Sequence, residues 1–138
     1  MEESPITSFL EAIDRLDADA VVKSMAPDVR LMTADGRRAE GVGPTRQLLM
    51  SFLSGVRAMT HELTAQWHQD DVWIGEATAT YEMADHLQIR DRPRVFVMVV
   101  GPSGITDLRA YGASERPLSD HLTGEEGMWI RDRWIPPL

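Results

Sequence analysis

Apolar positions along this chain recur at helical spacing first and at strand spacing afterwards. Ser4-Pro5 is a helix start, with serine as N-cap and proline at the first helical position. Ile6, Phe9, Leu10, Ile13 and Leu16 then mark one helical face. Asp17 can cap a second short helix carrying Val21, Val22 and Met25. Pro27 should stop it, because the residue before a proline is pushed out of the α region. Val29, Leu31 and Thr33 alternate with Arg30 and Met32, which predicts a first strand over Asp28–Thr33, closed by the Ala34-Asp35-Gly36 turn. A third helix follows Gly43-Pro44, with Leu48, Leu49, Phe52 and Leu53 at helical spacing and Gly55 as its terminator.

From Met59 to Gly112 the pattern predicts four successive strands. In the first, His61, Leu63, Ala65 and Trp67 oppose Glu62, Thr64, Gln66 and His68. In the second, Trp73–Met83, one face carries Gly75, Ala77, Ala79, Tyr81 and Met83, and the other Glu76, Thr78, Thr80 and Glu82. Alanine forms strands poorly and covers little area. A core face built from it implies either a cavity or a closely approaching helix. A loop over His86–Arg92 leads to Arg94–Val100, apolar on both faces, as in a central or covered strand. After the Gly101–Gly104 turn, Ile105–Tyr111 closes the meander. Met128–Ile130 and Trp134–Ile135 suggest a small tail hairpin, too apolar to hang free. Residues 118–138 are therefore expected to dock on the core or at a dimer edge, either as a lid or as an interface element. Helices followed by a meander make one α+β domain spanning residues 1–138.

Composition narrows the partners. The 138 residues suit one core, and 43% hydrophobic with 26% charged residues is ordinary for a soluble domain. Fourteen basic against 22 acidic residues leave a net charge of −8, which argues against a surface that tracks nucleic acid or an anionic membrane. No cysteine is present, so disulfides, thiolate metal sites and a cysteine nucleophile are excluded. Met1-Glu2-Glu3 lacks the basic and apolar regions of a signal peptide, and Val95–Val100 is too short to span a bilayer. The expected setting is cytoplasmic.

The order of elements resembles the nuclear-transport-factor-like superfamily, which includes ketosteroid isomerases, scytalone dehydratases, limonene epoxide hydrolases and SnoaL-like polyketide cyclases. Its carriers are Asp17-Ala18-Asp19 between the first helices, Ala26–Val29 entering the first strand, and Gly41 before the third helix. Gly104-Ile105 and Leu108–Gly112 follow in the last family strand, so that the match covers roughly residues 5 to 113. The resemblance implies a cone: a curved, mixed or antiparallel sheet wrapped around the N-terminal helices, as in the cystatin-like folds, around a mostly apolar pocket. It also implies a homodimer through the outer sheet face. The catalytic residues of the ketosteroid isomerases do not transfer. Their tyrosine, base and protonated aspartate fall at Phe9, Thr33 and Val95, and the aspartate frequent after the last strand is Ala113 or Ser114.

Two residues on inner strand faces carry the best polar chemistry. His61 could act as general acid or base, since an imidazole titrates near neutrality; the competing reading is a core histidine satisfied by a hydrogen bond. Tyr81 could donate to a ligand oxygen or simply fill volume. A ligand would be lined by Phe9, Thr33, Phe52, Trp67, Ala79, Val97 and Leu108, with Asp85 at the mouth. Phe96, Met98, Arg109 and Tyr111 are expected on the outer, dimer-forming face. Arg90, Arg92 and Arg94 read as local charge balance able to attract an anionic substituent. His61, His68, His86 and His121 show no metal spacing. No phosphate loop or dinucleotide fingerprint is present, and no metal or cofactor is implied. Two functions stay open: a SnoaL-like isomerase, lyase or cyclase acting on an apolar molecule, polycyclic ones included, or a non-catalytic ligand-binding or dimeric interaction module.

Overall fold

The computed structural model describes residues 4–112 of the chain; the tail from residue 118 onward, with its expected docking and hairpin, lies outside them. Three helices precede most of the sheet: α1 (Pro5–Asp14), α2 (Ala18–Val22) and α3 (Val42–Leu53). The strands are β1 (Met25–Met32), β2 (Arg38–Glu40), β3 (Val56–Gln69), β4 (Val72–Met83), β5 (Gln88–Gly101) and β6 (Gly104–Gly112). They form one curved, open sheet in the order β2-β1-β6-β5-β4-β3, antiparallel except for the β1–β6 pair.

The helix starts follow from their caps. The Ser4 side chain accepts from the Thr7 amide, Pro5 occupies the first turn, and Asp17 accepts from the Ala20 amide. Ile6, Phe9, Leu10 and Ile13 of α1 are buried, as the spacing of three and four predicts. On α3, Thr45, Leu49 and Leu53 face inward. Both helices lie on the same side of the sheet, α1 against β3 and β4, α3 against β1.

Several expectations about the strands need correction. The second helix ends at Val22, before Pro27 can act, and β1 begins at Met25. The short strand β2 had no periodic signal of its own. No open loop fills His86–Arg92, because β5 already starts at Gln88. A bulge interrupts it: Ala79 pairs with Arg92 and Tyr81 with Ile89, so Arg90 and Asp91 together oppose Thr80. Asp91 has φ of 54° and donates its amide to Thr80 Oγ1 at 3.2 Å.

Register then decides the faces of β5. Gly75 opposes Phe96 and Ala77 opposes Arg94, while Met98 opposes Leu108. Because Ala77, Ala79, Tyr81 and Leu108 are buried against the helices, Arg94, Phe96 and Met98 must point the same way, and all three are buried. Phe96 and Met98 are thus core residues, not outer-face ones, and Val97 is on the outer face instead. Arg109 and Tyr111 do point outward, hydrogen-bonded to each other at 3.0 Å.

The small-residue face of β4 serves close packing. A Cβ on Gly75 would lie 2.9 Å from two side-chain carbons of Ile6, so α1 seats directly on the glycine. Farther along the strand, Ala77 and Ala79 stand opposite two arginines, Arg94 and Arg92.

Candidate functional site

A cavity of about 80 Å³ lies between α1, α3 and the inner face of the sheet. Phe9 and Ile13 of α1, Leu49 and Phe52 of α3, and Phe96, Leu108 and Ala110 of the sheet supply its apolar wall. Thr33, Ala34, Asp35 and Arg37, from the turn after β1, border its more exposed end. There Thr33 Oγ1 hydrogen-bonds Asp35, and the Arg37 Nε donates to Asp35 Oδ2 at 3.0 Å. Partial burial works against ionisation of Asp35, but its bonds to Thr33 and Arg37 outweigh it and leave the pKa below the ordinary value.

Three polar side chains reach the interior wall: His61, Tyr81 and Arg94. The His61 side chain is only 4% exposed. Asp14, the last residue of α1, holds it by two bonds. The His61 backbone amide donates to Asp14 Oδ2 at 2.9 Å, and the ring Nδ1 lies 2.6 Å from Oδ1. A carboxylate only accepts, so Nδ1 is the nitrogen that carries the proton toward Asp14, and in the neutral imidazole Nε2 is then the one with the lone pair. The ring is boxed edge-on by Tyr81 and Phe96, at centroid distances of 6.3 and 5.8 Å.

Tyr81 is buried beside Phe52 and next to Arg94, whose guanidinium carbon lies 5.9 Å from the phenol ring centroid. Burial pushes the Tyr81 pKa up. Arg94, by its charge and a hydrogen bond, and Arg92, by its charge, oppose this only in part. The phenol is therefore a donor at neutral pH. Arg94 itself is 2% exposed and donates from Nη1 to the Pro93 carbonyl at 3.0 Å. The arrangement combines an imidazole, held through Nδ1, with a phenol and a guanidinium on one wall. It can remove a proton from a bound molecule and hold an oxygen on which charge collects.

The residues expected to form the site divide clearly. His61, Tyr81, Phe9, Thr33, Phe52 and Leu108 border this cavity. Four others do not. Trp67 is 55% exposed, because β3 runs on beyond the helices past a register shift after Leu63. Ala79 is enclosed by packing, Val97 is on the outer face, and Asp85 sits in the β4–β5 turn, accepting from the Leu87 amide at 3.0 Å. Two residues were missed. Asp14 continues the Ile6–Leu10 row of α1 by one more step of four, a signal that was available. Arg94 opens an apolar run, and only register reveals that it points inward. Among the described residues, no three histidines and carboxylates are grouped to hold a metal.

This cone of helices and curved sheet is the nuclear-transport-factor-like, ketosteroid isomerase-like fold, and solved structures place the chain within it. A protein of ketosteroid isomerase-like fold from Catenulispora acidiphila, in complex with trimethylamine, superposes with a TM-score of 0.71 at 15% identity, over 79% of this chain and 86% of that one. An LEH-like epoxide hydrolase from M. tuberculosis gives 0.67 at 20% identity, over 78% and 79%. A Jannaschia protein described as a SnoaL-like polyketide cyclase gives 0.61 at 15% identity, over 81% and 90%. No family model matches the chain, and no curated protein matches it in sequence.

Proposed function

We propose that this protein is an acid–base enzyme of the isomerase, lyase or cyclase kind, acting on a small, largely apolar molecule. The observation that carries this reading is the convergence of the Asp14–His61 pair and the Tyr81–Arg94 pair on one cavity. His61 Nε2 is the base that takes a proton from carbon and returns it. Asp14 fixes the imidazole tautomer and steadies the charge that forms on the ring. Tyr81 donates to the substrate oxygen, assisted by Arg94. Solved structures of the same fold described as an epoxide hydrolase and a polyketide cyclase are in keeping with chemistry inside the cone.

A second reading, ligand binding without turnover, is favoured by the modest cavity. About 80 Å³ is well below the roughly 300–1,000 Å³ of sites for drug-sized ligands. One experiment separates the two. The protein is incubated in D2O with a panel of small ketones, enones and epoxides, and deuterium uptake, elimination and ring opening are followed by NMR. Turnover that falls by about 10²–10⁴-fold in His61→Gln, the range a general base supplies, supports the enzyme. Saturable binding with no turnover leaves the binding module.

For the outer sheet face we infer a homodimer. Val95, Val97 and Val99 are half-buried there, and Tyr111 is 44% exposed.

A further inference from the structure

A bulge in β3 decides where Trp67 points. His61 opposes Ala79 and Leu63 opposes Ala77, but the next pair is Ala65 with Glu76, so Thr64 is an extra residue. The slip turns over everything that follows it. Gln66 opposes the inward Gly75, and Trp67 opposes Ile74, whose own partner Val97 is on the outer face. Plain alternation would bury this tryptophan with His61 and Leu63. The bulge delivers it to the outer surface instead, 55% exposed.

From Trp67 an outer row crosses the whole sheet. Trp67 pairs with Ile74, Ile74 with Val97, Val97 with Arg109, Arg109 with Met32 and Met32 with Arg38, one residue from each strand. The two ends of this row differ in shape and chemistry. At the β3 end the indole stands out from the surface. At the β2 end, Arg30, Met32, Arg38, Glu40, Asp107 and Arg109 border an open hollow of about 580 Å³. Two of these arginines are already engaged: Arg30 lies 3.3 Å from Asp107, and Arg109 donates to the Tyr111 hydroxyl at 3.0 Å. Arg38 is exposed and forms no ion pair among the described residues. A guanidinium and an indole face attract each other, the more so as water is excluded.

A knob and a hollow on one face of one chain define their own partner. A half-turn about an axis parallel to the strands, between β5 and β6, lays a second copy face to face on the first. The knob of each copy then meets the hollow of the other, and the half-buried Val95, Val97 and Val99 fill the middle. The same contact is made twice, which closes the pair and leaves no free end to polymerise. We infer that two copies of this chain pair through their outer sheet faces, with Trp67 of each seated in the Met32–Arg38 hollow of the other. The inference rests on the homodimer read above and adds its anchor and the seat of that anchor.

Sedimentation of the full chain over a dilution series gives the dimer dissociation constant. Trp67→Ala should raise it by about 30-fold or more, as truncation of an aromatic anchor does. Trp67→Phe, which keeps an aromatic face, should recover most of that loss. Arg38→Gln should raise the constant about three- to tenfold in the wild type. In the Trp67→Ala background it should change little, because the two side chains act as a unit. Both positions are exposed, so the variants should keep the native circular dichroism. Should Trp67→Ala fail to fold, Trp67→Phe and Arg38→Gln complete the same cycle. An unchanged constant in folded Trp67→Ala overturns the inference, and so do effects at the two positions that simply multiply. If Val97→Asp still separates the pair in that case, the outer-face dimer stands without this seat. A wild-type monomer at every concentration removes both.

Discussion

Tyr81 is the residue whose environment is easiest to read out in solution. Burial holds its pKa above the ordinary 10.0, against the opposing arginines. In the unfolded chain the phenol ionises near its ordinary value, so the unfolded state loses its proton first as pH rises. The stability gained from a neutral Tyr81 is complete below that value and is lost progressively above it. Denaturant unfolding across the alkaline range should show this fall in the wild type, and Tyr81→Phe should lack that component. An identical alkaline limb in both proteins would mean that Tyr81 is not buried as described. The same residue shows how far single positions can be read. Tyr81 and His61 stood out because each interrupts an inward apolar face, whereas Asp14 and Arg94 did not, because what they meet is far away in sequence.

At the scale of elements, the contact of α1 with β4 has a definite weak point. Gly75→Ala gains about 0.5–1 kcal/mol from the reduced entropy of the unfolded chain. It also drives a methyl to 2.9 Å from Ile6, and overpacking of this kind costs about 1–3 kcal/mol. The clash with Ile6 outweighs the entropic gain, so denaturant melts should show net destabilisation. Adding Ile6→Val removes Cδ1, one of the two clashing carbons, and should cost less than the sum of the two single changes. Helix α3 offers the opposite sign. Thr45 is fully buried, and its Oγ1 has no hydrogen-bond partner among the described residues. Thr45→Val keeps the shape and removes the unsatisfied hydroxyl, so a gain of about 1 kcal/mol is expected. An equally large loss in the same melts would show that the hydroxyl is bonded.

For the molecule as a whole, the outer face of β5 and β6 sets the expectation. Half-buried valines flanked by Arg109 and Tyr111 form a surface suited to a second copy. Sedimentation at micromolar concentration should give twice the 15.5 kDa chain mass. A 15.5 kDa species would refute the dimer, and charged substitutions at Val97 should then leave the mass unchanged. Among the described residues no helix is long and apolar enough to cross a membrane.

Local chemistry settled much of this protein in advance. Ser4-Pro5 and Asp17 start helices because a side-chain oxygen within three residues satisfies an orphan amide, whatever the rest of the chain does. The spacing of Ile6, Phe9, Leu10 and Ile13, and the alternation along Gly75–Tyr81, likewise carry their own periods. In β5 both faces are apolar, so its sequence held no signal for which set turns inward. Only the pairing of Gly75 with Phe96 and Ala77 with Arg94 decided it, through a bulge at Arg90–Asp91. The grouping of polar side chains on the cavity wall was decided in the same way. Asp14 and His61 lie 47 positions apart and meet because α1 crosses β3. Contacts of that range depend on how elements dock, which no local period records, and they bring an imidazole, a phenol and a guanidinium to the wall of one cavity.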